Sequence, residues 1–157
     1  MQDYFDISVD KFREALSGPL PGRPAQELMS PSTRSTGNRV GDPAEARPGS
    51  VLVLCYKREG HWMVPFIQRP VYDGVHSGQI SFPGGKCEDE DEGRLHTALR
   101  ETEEEIGVPA GEVTLLGALT PLYIPNSNFF VYPFVGWLPE APVFSPDPTE
   151  VEEVIEV

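Results

Sequence analysis

Basic side chains are scarce in this 157-residue chain: 12 Lys and Arg stand against 25 Asp and Glu, a formal net charge of −13. With no basic patch in view, this balance argues against nucleic acid as the main partner. It also opposes a phosphate-rich ligand unless metal ions or local Arg and Lys offset the field. Long apolar runs are missing too, so no stretch reads as a membrane span. The first residues, Met-Gln-Asp-Tyr-Phe-Asp, lack the basic start and apolar core of a secretory signal. Cysteine is limited to Cys55 and Cys87, too few for a disulfide framework, and both read as reduced thiols of a cytosolic protein. What remains is a globular composition, 39% apolar with 17 prolines and 15 glycines. That suits one domain over residues 1–157 with a sizeable core and many turns.

Residues 8–16 read as a short helix, because Val9, Phe12 and Leu16 share a face, Ser8 can cap it and Gly18-Pro19 stops it. Residues 25–29 add one more helical turn. Residues 30–50, rich in Ser, Pro, Gly and Arg without periodicity, read as a long surface loop with Arg34, Arg39 and Arg47 solvated. Residues 51–56 are a buried strand, 57–60 a hairpin turn and 62–68 the returning strand, interrupted near Pro65. Further on, residues 113–124 and 129–138 read as strands about a turn at 125–128. A proline-rich loop follows over 139–149, and residues 154–157 open another strand.

The chain is organised around residues 82–108, a glycine turn at Gly84-Gly85 followed by an acidic helix over residues 91–106. Leu95, Leu99, Thr102 and Ile106 fall on one narrow stripe. Asp89 or Asp91 can cap the start, and Gly107 suits a left-handed C-cap. Glu101, Glu104 and Glu105, at i, i+3 and i+4, fan over one face away from that stripe, while Glu103 points elsewhere. Like charges so close repel, by a few tenths of a kcal/mol per pair. The plain alternative is a solvated helix face. A hard divalent cation makes better sense of the cluster, since oxygens hold such ions and the ion neutralises the charge. The glycine turn lets backbone approach a metal or phosphate that a side chain would block.

Gly85, Glu92, Arg100, Glu101, Glu104, Glu105, Gly107 and Val108 resemble the box of the Nudix family. Six residues rather than five separate Gly85 from Glu92; taking Asp91 as the acid restores that gap and lengthens the next to eight. Thr102 stands where an aliphatic residue is usual. Upstream, Arg69, His76, Gly78, Phe82, Pro83, Gly84 and Gly85 match in register the motif that precedes the box in coenzyme A pyrophosphatases, with Gly74 where Arg is usual. The resemblance implies an α/β fold, an α/β/α sandwich with a mixed sheet and the box as a loop–helix on one side. Residues 1–50 supply the N-terminal helix and the long loop leading into it. Because that fold adds a helix after the last strand, the chain is expected to be a C-terminally shortened piece of a longer protein.

The resemblance also implies a chemistry. Gly85, Glu101, Glu104 and Glu105 would hold Mg²⁺ or Mn²⁺, joined by Glu150 from a loop after the box. Glu101, Glu104 and Glu105 would carry catalysis, with Arg100 orienting a neighbouring glutamate. Arg69, His76, Gly84 and Lys86 would touch substrate. The implied reaction is hydrolysis of a diphosphate, coenzyme A or acyl-CoA, to adenosine 3′,5′-bisphosphate and 4′-phosphopantetheine, in a cytoplasmic enzyme with a homodimer as a possible assembly. The competing expectations are hydrolysis of ADP-ribose or another nucleoside diphosphate derivative, and a Nudix-like binding module without catalysis.

Overall fold

The computed structural model describes residues 8–30, 43–71 and 78–157. Gly74, His76 and the loop arginines Arg34 and Arg39 lie outside them. The centre is a long strand, β1 (Arg47–Arg58). Its length is a first difference from the expected loop over residues 30–50, because Arg47 to Ser50 already pair in the sheet. β1 runs parallel to β8 (Phe129–Trp137) from Arg47↔Phe129 to Cys55↔Trp137. It is antiparallel to β2 (His61–Met63) through a Glu59-Gly60 turn with φ of 52° and 83°. Two positive φ values give a turn whose twist matches the flanking strands. β8 pairs in turn with β6 (Thr114–Ala118) and β7 (Leu122–Ile124). The expected strand over 113–124 is thus two strands, parted at Pro121, with a register shift between Leu115 and Gly117.

The strand expected over 62–68 also divides, and the two pieces serve different sheets. After Val64, β3 (Pro65–Gln68) leaves β2 and joins a small antiparallel sheet with β4 (Ile80–Ser81) and β9 (Glu153–Glu156). Proline has no N–H to give to a ladder, so the chain changes partners where Pro65 enters.

Side chains alternate along β1 and so build two cores. Leu52, Leu54 and Tyr56 are fully buried on one face, against Ile67 of β3 and Ala98 and Ile106 of α3 (Arg94–Ile106). Val53 and Cys55 face the other way, toward Val9, Phe12 and Leu16 of α1 (Val9–Ser17). A mixed sheet with a helix against each face is the expected α/β/α layering. The Ser8 hydroxyl caps α1 by accepting from Lys11 N–H at 3.3 Å. The second short helix, α2 (Gly22–Leu28), starts three residues earlier than expected. No helix among the described residues is long and apolar enough to cross a membrane.

α3 begins at Arg94 rather than residue 91, with Gly93 at its N-cap and no side-chain cap, because the Asp91 carboxylate is engaged elsewhere. Its end is as expected: Gly107 adopts φ 72° and donates to the Glu103 carbonyl. Thr102 is fully buried, and its hydroxyl donates to the Ala98 carbonyl at 2.7 Å, so a polar atom is tolerated where an aliphatic one is usual.

Leu54 lies in the core that locks α3 to β1. Leu54→Ala should lower stability by about 2–5 kcal/mol, read as a lower urea midpoint with an unchanged slope. Val143→Ala, at a position 93% exposed, should leave the midpoint in place. Equal effects would mean that the buried face has been misassigned.

Candidate active site

β5 (Gly84–Lys86) lies between β1 and α3, pairing Val51↔Gly84, Ser50↔Gly85 and Gly49↔Lys86. There is no room for a side chain at either glycine of this layer. At Gly84, with φ 150°, an added Cβ would overlap the Ser50 carbonyl oxygen, and at Gly85 it would overlap the Glu101 carboxyl group. The two glycines let α3 bring its acids directly onto the strand.

Glu105 is the innermost of these acids, with a fully buried side chain. Its Oε2 accepts the Gly84 N–H at 2.8 Å. Its Oε1 accepts from Arg69 Nη2 at 2.9 Å, and the same nitrogen donates to the Gly84 carbonyl at 3.0 Å. Burial pushes the Glu105 carboxyl from its ordinary 4.5 up to about 7, with Glu101 and Glu150 adding repulsion and Arg69 and the Gly84 N–H opposing. Burial likewise raises Glu101, against the pull of Arg100. Glu150 arrives from the loop before β9, which is tied to the end of α3. The Ser145 N–H donates to the Ile106 carbonyl and the Asp147 N–H to the Glu105 carbonyl, each at 3.0 Å. The Asp147 carboxylate then accepts the Thr149 N–H and hydroxyl. The result is a cluster in which one carboxylate oxygen from each of Glu101, Glu105 and Glu150 lies within 4.8 Å of the others.

Arg100 organises the outer side. Its Nε and Nη2 donate to the two oxygens of Asp91 at 2.9 and 3.1 Å, Nη2 meets Glu101 Oε1 at 3.0 Å and Nη1 donates to Glu104 Oε2 at 2.9 Å. The Asp91 side chain is 3% exposed and also accepts the Thr97 hydroxyl and the Glu88 N–H. The Arg100 guanidinium holds the Asp91 carboxyl well below the usual range. Of the two acids open in the sequence, the structure thus places Asp91 against Arg100 and leaves Glu92 exposed on the loop. The capping role expected for Asp91 gives way to this ion pair.

Not all the expected site residues come together. Glu104 is 57% exposed and turned toward Arg100, outside the group of three. Glu103 accepts the Ala110 N–H, away from the others as expected. Arg69, Gly84, Gly85 and Lys86 line a cleft of about 490 Å³ beside the cluster. His76 lies outside the described residues. Two carboxylates on α3 and one on a loop, all hard oxygen donors in a partly buried place, fit a divalent cation such as Mg²⁺ or Mn²⁺.

A family model described as the NUDIX domain matches residues 46–157. The chain belongs to the Nudix family. The human mitochondrial coenzyme A diphosphatase NUDT8 is 39% identical over 113 residues, covering 69% of this chain and 48% of that protein. The Nudix hydrolase NudL of Yersinia enterocolitica is 44% identical over 82 residues, covering 52% of this chain and 42% of that one. The chain spans about half the length of the curated relatives it matches. Among solved structures, an Ap4A hydrolase complex from C. elegans overlays with a TM-score of 0.57 at 17% identity, covering 70% of this chain and 78% of that chain. RenU, a Nudix hydrolase from M. smegmatis, gives 0.56 at 19% identity, covering 71% and 70%. These overlays show a shared fold. In this Nudix domain the box occupies β5, the loop over residues 87–93, and α3.

The buried carboxylate has a consequence for stability. An unfolded glutamate titrates near 4.3, whereas folded Glu105 titrates near 7. Between those values the folded state holds a proton that the unfolded state has lost, so stability falls as pH rises. In metal-free protein the drop attributable to Glu105 should be on the order of 3 kcal/mol from pH 4.5 to 7.5. Urea midpoints measured in a chelating buffer should show this slope in the wild type and a flatter one in Glu105→Gln. Parallel slopes would contradict the assignment.

Proposed function

We propose that this domain hydrolyses a diphosphate linkage, and that its substrate is coenzyme A or an acyl-CoA. The observation that carries the reading is the carboxylate cluster of Glu101, Glu105 and Glu150, set against the Gly84-Gly85 strand at one end of the cleft. The choice of coenzyme A is supported by NUDT8, a coenzyme A diphosphatase by name, and by the Arg69-to-Gly85 stretch that resembles such enzymes.

Glu101, Glu105 and Glu150 are the residues that would hold Mg²⁺ or Mn²⁺, with the Gly85 carbonyl as a further candidate. Such a cation, when bound, offsets phosphate charge and makes a water molecule more acidic. The chain's own side chains divide the remaining work. Glu105, pinned on both oxygens, fixes the position of β5 and of Arg69. Glu150, the exposed member, is suited to take the proton of the attacking water, because a base must reach solvent. Arg100 holds Glu101 in place and does not line the cleft. Attack on one phosphorus breaks its bond to the bridging oxygen. Coenzyme A then yields adenosine 3′,5′-bisphosphate and 4′-phosphopantetheine.

The test is incubation with coenzyme A and Mg²⁺ or Mn²⁺, with chromatography of the products. Wild-type protein should release adenosine 3′,5′-bisphosphate. Glu101→Gln and Glu105→Gln should lower the rate by about 100-fold or more. Glu104→Gln, outside the cluster, should cost less, about tenfold. Preferential cleavage of ADP-ribose would overturn the substrate, and full turnover by Glu105→Gln would overturn the site.

A further inference from the structure

Glu150 reaches the carboxylate cluster from a loop, so neither a helix nor a strand fixes its place. Residues 147–150 read Asp-Pro-Thr-Glu. That is the pattern of a helix start: an acceptor at the N-cap, proline at the first helical position and glutamate at the third. Only a single turn of it forms. The Asp147 carbonyl accepts the Glu150 N–H at 3.1 Å and the Val151 N–H at 2.8 Å. Asp147 Oδ1 accepts the Thr149 N–H at 2.8 Å and the Thr149 hydroxyl at 2.7 Å. The chain then leaves for β9, with the Glu152 N–H donating to the Gln68 carbonyl at 2.8 Å.

The turn lacks the second half of a capping box, in which the glutamate folds back onto the backbone N–H of the N-cap residue. In this chain the Asp147 N–H is already given to the Glu105 carbonyl at 3.0 Å. Glu150 therefore does not fold back on its own turn, and its carboxylate stands with Glu101 and Glu105, with oxygens within 4.8 Å. Both ends of the turn are anchored. On one side the Ser145 N–H donates to the Ile106 carbonyl, and Gly107 leaves room for this approach, since a Cβ there would overlap the Ser145 side chain. On the other side Val151 is 2% exposed, in the core that holds Ile106 and Val108. Between these anchors residues 148–150 are exposed, and the bonds to Asp147 hold their backbone in one shape.

We propose that Asp147 is a positioning residue for Glu150: by holding Thr149, its carboxylate fixes the turn that presents the Glu150 carboxylate to Glu101 and Glu105. The inference rests on the hydrolytic reading above, but it concerns a residue that neither lines the cleft nor belongs to the cluster. The Thr149 N–H and hydroxyl hold the Asp147 carboxyl below its ordinary value, so it is an ionised acceptor at neutral pH. A carboxamide oxygen of the same shape answers the same donors, and a methyl group does not. Misplacing a reacting group by about 1 Å can cost on the order of 100-fold in rate, so a loosened turn would be felt in the chemical step.

Titration calorimetry with Mn²⁺ alone tests this without turnover. Asp147→Ala and Glu150→Gln should each weaken Mn²⁺ binding about tenfold, whereas Asp147→Asn should stay within about twofold of the wild type. The double variant Asp147→Ala/Glu150→Gln should bind no more weakly than Glu150→Gln, because both changes remove the same contact. With coenzyme A, Asp147→Ala should lose about tenfold in kcat at an unchanged KM, and Asp147→Asn should recover it. A role in stability alone would lower the melting temperature of Asp147→Ala and leave its Mn²⁺ affinity at the wild-type value. That result overturns the inference, as do losses that multiply in the double variant, or an Asp147→Asn protein as impaired as Asp147→Ala. The expected Mn²⁺ pattern in a protein that leaves coenzyme A uncut would count against the substrate and not against the positioning of Glu150.

Discussion

The buried carboxylate of Glu105 is the constraint on which the site depends. A charge removed from water is costly unless it is paired and hydrogen-bonded. Here both oxygens have partners, one the Gly84 N–H and the other Arg69. Those two bonds draw together α3, β5 and the end of β3, which belong to different layers of the fold. They also explain the glycines. For Glu105 to reach the Gly84 N–H, the helix must sit so close that the neighbouring Glu101 carboxyl fills the space a Gly85 side chain would take. Burial only partly offset by these two partners leaves the Glu105 carboxyl raised to about 7, so ionising the cluster favours a nearby positive charge.

A second ion pair carries the loop. Arg100 grips both oxygens of Asp91, and Asp91 in turn gathers Thr97, His96 and the Glu88 N–H. This knot fixes residues 88–97 as one unit and sets the start of α3 after it. The spacing between the glycine turn and the helix can then vary, provided one acid still reaches Arg100. In this chain that acid is Asp91, and the additional residue falls between it and the helix, where Glu92 is exposed. Arg100 also touches Glu101 and Glu104, so the same guanidinium that anchors the loop aligns the outer edge of the carboxylate cluster.

The parts legible in the sequence are those set by local rules. Ser8 capping α1, Gly107 in the left-handed C-cap and the Glu59-Gly60 turn each follow from a few neighbouring residues. The buried character of β1 follows from its run of β-branched and aliphatic side chains. The acidic helix and the glycine turn point to a site because their spacing is specific. What escaped is tertiary. Nothing local says that Glu105 is the fully buried acid and Glu104 the exposed one; the packing of α3 on β5 decides it. The change of sheet at Val64 and Pro65 depends on β9, about 90 residues later in the chain. The proline offered a hint of a break but not of a new partner. Asp91 looked like a cap because Asp before a helix usually is one, and only the fold brings Arg100 within its reach.

The charge balance of the whole chain gains meaning from this arrangement. A formal charge of −13 is a poor starting point for binding a diphosphate. The cations nearest the cluster do not remedy it: Arg69 is engaged by Glu105 and the Gly84 carbonyl, and Arg100 by Asp91, Glu101 and Glu104. Their charge is consumed in holding acids, not in meeting a ligand. A polyanion entering the cleft would therefore face three carboxylates with little to offset them. Repulsion of that kind is removed most directly by a small multivalent cation, which three clustered oxygen donors are suited to hold. The excess of acid is thus compatible with a phosphate-bearing substrate where a bound cation, together with Lys86 at the cleft, offsets it. Arg69 and Arg100 hold these carboxylates in place, in positions that such a cation would require.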